Sequence, residues 1–529
     1  MKKLKIWLPL LFAIVMIFGM LIGYRLSGDI NPDGFFKIRK RTPVDEVLGL
    51  IGHKYVDSVS LDTLGENAIE GMLSHLDPHS IYIPPANLNE MNEDLQGNFE
   101  GIGVEFQIFS DTVNIVSVLE KGPSEKAGLK VGDKIIKVND SLVAGNGIDA
   151  DRIKRLLRGP GASQVMLMIK RGNQLISVAV SRGTIPLPSI DASYMIDQQT
   201  GFIRINKFSE TTHPEFVQAM LDLQKKGLKK LILDLRDNGG GILEEAIDIA
   251  DDFLDGDKLI VYTQGVNSPK REYSSRTEGL FEKGKLVVLT DEGTASASEV
   301  LTGALQDWDR ATIIGRRTFG KGLVQEQYAL SDGSAVRLTV ARYYTPAGRS
   351  IQKPYDKENH EAYNEEVMKR FHDGEVLHQD TTLNHNGKVY KTFGGRTVYG
   401  GGGITPDIFV AFDTSTLDHQ ITSLYIKNTL NRFIYTYYIR NIAEFNEFKT
   451  ASDFAKNFHH DDEVWKSLSN FAALDSINLK LVPEKDRQLL ITRLKALLGR
   501  EGWRQEGYFE VVNTYDPVVQ RAMQEINKN

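Results

Sequence analysis

The apolar and polar positions divide the chain into stretches of different period. First comes an uncharged, mostly apolar run of 18 residues, Ile6 to Gly23, behind Lys2, Lys3 and Lys5. That length is near the lower limit for crossing a bilayer, and basic residues on the short N-terminal side predict a cytoplasmic start and a translocated body. No cleavage site of the Ala-x-Ala kind follows the run, so a retained signal anchor over 1–28 is expected rather than a removed signal peptide. A linker with Pro32 and several Lys and Arg follows, up to residue 42. Between Pro43 and Leu76, Val47, Leu48, Ile51, Val56, Leu64, Ile69 and Leu73 recur at roughly helical spacing, which predicts two or three helices. The linker and helices together make a segment over 29–96.

From 97 to 185 the period shortens to that of strands. Gly103 to Phe109, Val113 to Val118, Lys134 to Val138, Gln164 to Lys170 and Leu175 to Val180 alternate with turn clusters, as in a small β-rich module. Over 186–410 the rhythm becomes α/β, with strands at 201–206, 229–235, 258–263 and 285–290 and helices at 213–226, 242–255 and 296–308. Strands alternating with helices imply βαβ units and a partly parallel sheet, which further strands near 312–315 and 334–342 are expected to extend. From 411 to 529 the pattern is helical. Leu489, Leu490, Leu494, Leu497 and Leu498 form one face of an amphipathic stretch there.

Composition narrows the function. The 529 residues are 41% hydrophobic and 25% charged, which suits a packed, multi-domain protein. The net charge of −7 provides no basic surface for a phosphate backbone, so nucleic acid is not an expected partner. With no cysteine, disulfides, thiolate nucleophiles and Cys-ligated metals are excluded. His459, His460, Asp461 and Asp462 read as a solvated polar cluster, and no metal or cofactor is expected.

Two segments carry chemistry. Gly101-Ile102-Gly103-Val104 opens the first strand of the β-rich module, where glycines let backbone N–H groups converge on an anion. The turn-rich segment Pro123 to Ile136 follows it. Farther on, the strand 285–290 runs into Thr294-Ala295-Ser296-Ala297-Ser298-Glu299 and then a helix, so a serine meets free N–H groups at a helix start. Thr294, Ser296 or Ser298 would equally serve as an N-cap. Lys321 lies between Gly320 and Gly322 on an apolar segment, where burial would lower its pKa and fit it to take a serine proton; a solvated surface lysine is the ordinary alternative.

Together these motifs resemble two families. Gly101 to Val104 with Pro123 to Ile136 resembles a PDZ domain. By that resemblance the glycine loop holds a peptide's terminal carboxylate, and the helix Asp149 to Leu157 turns Ile153 and Leu157 toward the ligand. Thr294 to Glu299, Gly320-Lys321-Gly322 and Gln325, with Asp234-Leu235-Arg236-Asp237-Asn238-Gly239-Gly240-Gly241, resemble the carboxyl-terminal processing serine peptidases. That resemblance implies Ser296 as nucleophile, Lys321 as general base and Gln325 as the amide that orients it. It also implies an oxyanion hole from the N–H of Ala297 and of Gly240 or Gly241.

Glu299 is expected to complement the helix N-terminus, and Asp307 to pair with Arg310. The resemblance covers about 43–410 and is interrupted by an insert at 353–402. The expected architecture is therefore multi-domain α/β: a membrane anchor, a helical segment, a PDZ module, a Ser-Lys peptidase core and a helical C-terminal region. Expected partners are protein or peptide substrates with free C-termini and, through the anchor, a membrane, with the catalytic part outside the cytoplasm in a bacterial periplasm or cell envelope. A second copy of the chain and an adaptor protein are further candidates.

Overall fold

The computed structural model describes residues 4–26, 42–147, 149–357, 359–378, 388–413 and 418–528 and divides into two units, Met1–Met72 and Leu73–Asn529. In the first, a helix spans Leu4–Leu26, and its described side chains, Trp7 and 9–22, are all exposed. Among the described residues no helix is long and apolar enough to cross a membrane, so the expected anchor does not follow from the fold. Except for Thr42, the linker expected up to residue 42 lies outside the described residues. Thr42 starts the next helix, Pro43–Lys54, by exchanging bonds with Asp45 in a capping box.

In the second unit, residues expected to belong to an N-terminal helical domain are part of the α/β body. Strand Ile81–Ile83 pairs antiparallel with Ala335–Arg337, and helix Pro85–Gln96 is tied down by Lys207 Nζ, which donates to Asp94 at 2.7 Å. The β-rich module runs from Asn98–Gly101, paired with Gly183–Pro186, through strands bonded in the order Val104–Phe109, Thr112–Val118, Lys134–Val138, Gln164–Arg171 and Gln174–Ser181. Val113, Ile115, Ile135, Leu167 and Ile169 fill its core.

The α/β core is built on a six-stranded sheet, in the order Ile190–Met195, Thr200–Ile205, Lys230–Asp234, Lys285–Thr290, Thr312–Gly315 and Ile408–Phe409, parallel from the second strand on. A parallel sheet must be covered on both faces, and alternate residues serve the two coverings. Ile203, Leu233 and Val288 pack under the helices Thr212–Lys225, Leu243–Asp251 and Ala297–Asp307. Phe202, Ile232 and Val287 face Val518, Val519, Ala522 and Ile526 of the helix Pro517–Ile526.

Only the first of the two expected sheet extensions is present in this sheet. The strand expected at 334–342 is the centre of a second, antiparallel sheet, as Ala335–Tyr344, flanked by Leu259–Gln264 and Leu323–Ala329. Alternating side chains identify a strand but not its partner; here Tyr262 stacks on Tyr344 at 4.8 Å and joins Leu259–Gln264 to the second sheet.

The C-terminal region is helical. Phe445, Phe454, Phe458 and Trp503 form an aromatic cluster, and the long helix Glu484–Val512 departs from helical geometry at Trp503 and Arg504. The chain folds back there because Gly499 and Gly507 meet: a Cβ on Gly499 would lie 2.8 Å from the carbonyl oxygen of Gly507.

Candidate active site

The strands Lys230–Asp234 and Lys285–Thr290 lie side by side in parallel register, Asp234 opposite Leu289, so the loops that follow them meet at the carboxyl end of the sheet. Asn238 shapes the first loop. Its Nδ2 donates to the carbonyl of Ile205 (2.9 Å), its Oδ1 accepts from the Gly240 N–H (2.9 Å), and its carbonyl accepts from the Ala295 N–H (2.9 Å) and Ser298 Oγ (3.0 Å). Asp291 shapes the second by accepting from the N–H groups of Asp237, Gly293 and Thr294. Burial, then the neighbouring Asp237 carboxylate, raises the Asp291 carboxyl to about 6.

Ser296 follows, half-buried, at φ 57° and ψ −119°, a conformation that L-residues avoid and that clusters at reactive sites. It opens the helix Ala297–Asp307, so the Ala297 N–H has no partner within the helix. Gly240 packs against it at φ +96°, where a Cβ would lie 2.7 Å from Ser296 Cβ. The Gly240 N–H, one of the two glycine donors that the resemblance offers, is taken up by Asn238 Oδ1. Gly241 is left; its N–H makes no hydrogen bond among the described residues.

Lys321 enters from the other side on the loop 317–322, and that loop is held almost atom by atom. The N–H groups of Gly320 and Lys321 donate to the two oxygens of Glu299, each at 2.8 Å. The Gly322 N–H donates to Gln352 Oε1 at 2.8 Å. On the insert helix His360–His372, buried Arg370 donates to the carbonyls of Arg317 (3.2 Å), Thr318 (2.8 Å) and Phe319 (3.0 Å). Glu366 anchors Arg370 at 2.8 Å and also accepts from Lys353 at 3.0 Å. The insert that interrupts the family pattern thus braces the loop that carries Lys321.

Glu299 does more than complement the helix N-terminus. Fully buried, it accepts from the Ser296 N–H (3.0 Å), from the Lys321 and Gly320 N–H groups and from Thr318 Oγ1. One carboxyl group therefore ties the serine's main chain to the lysine's. Burial raises it to about 7 against those four donors, which favour its charged form. The Tyr343 hydroxyl adds a second tie, lying against the carbonyls of Ser296 (3.0 Å) and Lys321. Lys321 Nζ makes no hydrogen bond or ion pair among the described residues. Burial, helped by the Arg337 charge, lowers its pKa to about 8 against the opposing pull of Glu299 and Asp77.

Ser296, Lys321, Gln325, Gly240, Gly241 and Ala297 all line one open cleft of about 1300 Å³. Gln325 does not reach the lysine amine: its Nε2 donates to Thr339 Oγ1 (3.3 Å), which in turn donates to Asp77 (2.8 Å). Asp307 does not pair with Arg310. It pairs with Arg349, both side chains fully buried, while Arg310 donates to the carbonyls of Phe253, Gly284 and Phe281. Glu299's reach to Lys321, the Asp77–Thr339–Gln325 chain, Tyr343 and Arg370 went unnoticed in the sequence. Only Glu299 carried a signal, three residues after a candidate cap.

The groove of the β-rich module is separate, about 380 Å³, between Gly101 to Gln107 and one face of the helix Ala150–Leu157. Ala150, Lys154 and Leu157, at helical spacing, line it. Ile153 does not; it is fully buried in the module's core, because the amphipathic helix turns that position to the sheet. Arg500 of the C-terminal region also lines the groove.

Residues 199–359 match Peptidase family S41 and 115–171 match the PDZ domain, while 421–504 match a family of unknown function. A probable CtpA-like serine protease of Staphylococcus epidermidis is 33% identical over 360 residues, 66% of this chain and 72% of that protein. One from Staphylococcus haemolyticus is 34% identical over 360 residues, covering 66% of this chain and 71% of that protein. The solved photosystem II D1 C-terminal processing protease is 27% identical, covering 71% of this chain and 88% of that one, with a TM-score of 0.35. On the extent of the Staphylococcus matches, the chain belongs to peptidase family S41 as a CtpA-like serine peptidase of the carboxyl-terminal processing kind.

Proposed function

We propose that the chain is an endopeptidase that holds protein C-terminal tails in its PDZ groove and cuts them by acyl transfer between Ser296 and Lys321. One observation carries the reading: a serine at a strained helix start and a lysine with a free amine face the same cleft, their main chains joined through buried Glu299. A lysine with a pKa near 8 is neutral often enough at working pH to act as a base. Neutral Lys321 Nζ takes the Ser296 Oγ proton as Oγ attacks the scissile carbonyl. The N–H groups of Ala297 and Gly241 receive the oxyanion, and protonated Lys321 passes its proton to the leaving amine. Water then attacks the ester with Lys321 again as base, which releases the acid and restores the serine.

The cleft suits an extended chain. Leu323 to Gln327 line it, and among the described residues their strand pairs only with Ala335–Tyr344, so its other edge offers main-chain groups to a substrate strand. Gln325 acts in this reading through Thr339 and Asp77 rather than by touching the amine. The apolar run behind three lysines supports a membrane anchor with the catalytic part outside the cytoplasm.

The test is cleavage of an unstructured peptide with a free apolar C-terminus by the full chain, Ser296→Ala and Lys321→Ala. The reading expects both variants to be inert yet to bind the peptide; normal cutting by either would overturn the assigned site.

A further inference from the structure

The PDZ groove has a wall that no PDZ module supplies. Arg500, on the long helix Glu484–Val512, lines it together with Val104 to Gln107 of the strand Val104–Phe109. The helix is fastened at this point: Arg504 Nη2 donates to Ser117 Oγ at 3.1 Å and Nη1 lies 3.4 Å from the carboxylate of Glu105. Nearby, Tyr435 packs on Phe109 at 5.4 Å.

The charges in the groove are uneven. Among the described residues Glu105 is the one acidic residue lining it, and Arg504 already faces that carboxylate. Of the three cations that line it, Arg158 is paired with Glu93 at 3.1 Å and lies over the Phe99 ring, and Lys154 lies 3.4 Å from Asp151. Arg500 makes no hydrogen bond or ion pair among the described residues. Its neighbour Glu501 is held toward its neutral form by burial, with a pKa of about 7, against the opposing pull of the Arg500 charge. An exposed guanidinium of this kind suits a carboxylate, which it can bind through two parallel N–H bonds.

We propose that Arg500 makes the groove selective for tails that carry an Asp or Glu side chain a few residues before an apolar C-terminus. The proposal rests on the reading of the groove as a tail-binding site. The terminal carboxylate is assigned to the loop Gly101 to Val104, where Gly103 adopts φ +73°, so Arg500 is left for a second, side-chain carboxylate. A helical region attached to the peptidase thereby becomes part of its specificity, a role the β-rich module cannot fill by itself.

The experiment uses the full chain with Ser296→Ala, so that bound peptide is not cut, and fluorescence anisotropy with labelled ten-residue peptides ending in a free apolar residue. The peptides differ in Glu or Gln at the third position from the end, and each is also made with an amidated C-terminus. The Glu peptide is expected to bind roughly five-fold tighter than the Gln peptide. Adding Arg500→Gln removes that difference and leaves the Gln peptide's affinity unchanged, whereas Arg500→Lys keeps part of it.

A Glu-to-Gln ratio untouched by Arg500→Gln overturns the proposal. So does equal weakening of both peptides, or a loss that follows amidation instead of the Glu side chain, which would assign Arg500 to the terminal carboxylate. If neither free peptide binds even the parent chain, the tail-binding reading fails and the proposal fails with it.

Discussion

The proposed catalytic cleft and the groove of the PDZ module are both open, yet they are made differently. In the cleft, the atoms that define the chemistry are fixed by buried polar groups: Asn238, Glu299 and Arg370 each satisfy three or four main-chain or hydroxyl groups from inside the fold. In the groove, a packed apolar core supports the walls, and exposed cations reach in from the rim. Buried, fully bonded networks are unforgiving of change, whereas exposed charges contribute little each. Substitutions in the cleft should therefore act on turnover, and those in the groove on affinity.

The largest effect expected is from Ser296→Ala or Lys321→Ala, each lowering kcat by about 10⁴-fold or more while peptide binding is retained. Loss of binding together with turnover would break the contrast between the two sites.

Glu299→Gln keeps the volume but turns one accepting oxygen into a donor facing N–H groups. Because misplacement of reacting groups by about 1 Å costs about 100-fold, kcat should fall by about that much with KM little changed. A change confined to KM would deny Glu299 its positioning role.

Arg370→Met lies farther from the chemistry and should lower kcat by about ten-fold. It also removes a buried cation from Glu366, so the melting temperature should drop as well. Full turnover at a lowered melting temperature would show that the insert serves stability alone.

The mildest test is of pH. Turnover should rise with pH to a plateau with a midpoint near 8, as Lys321 loses its proton. Arg337 holds that pKa down by repelling the ammonium, so Arg337→Met should move the midpoint to higher pH. A midpoint that does not move would mean that the titrating group is elsewhere.

The legible parts of the proposed site were those with a local signature. Ser296 stands where a strand hands over to a helix, Lys321 stands between glycines, and the glycines of 239–241 end a buried strand. The rest needed the third dimension. Asp307 finds Arg349, 42 residues away, instead of Arg310 three residues on, because the helix turns Asp307 into the core and leaves Arg310 to cap carbonyls at the rim. Of the two glycines expected as alternative donors, Gly240 gives its N–H to Asn238 only two residues earlier, since the bend that brings it against Ser296 also turns its N–H inward. Ile153, expected to face the ligand, is turned into the module's core, and Lys154, one position on, lines the groove instead. Of the fold, the strands and helices of 200–315 were readable from their period, but not that Ala335–Tyr344 belongs to another sheet.

The helix Pro517–Ile526 has a consequence for how the chain reaches its native state. It covers the apolar face of the catalytic sheet, and the ion pair between Arg236 and Asp516 that accompanies it joins residues 280 positions apart. Contacts so distant in sequence form slowly, so Phe202, Ile232 and Val287 stay uncovered while the chain emerges and until this helix docks. A nascent chain in that condition is prone to aggregate. A folding helper that shields the sheet face is expected to raise the yield of active enzyme, and slowing synthesis before residue 517 to lower it.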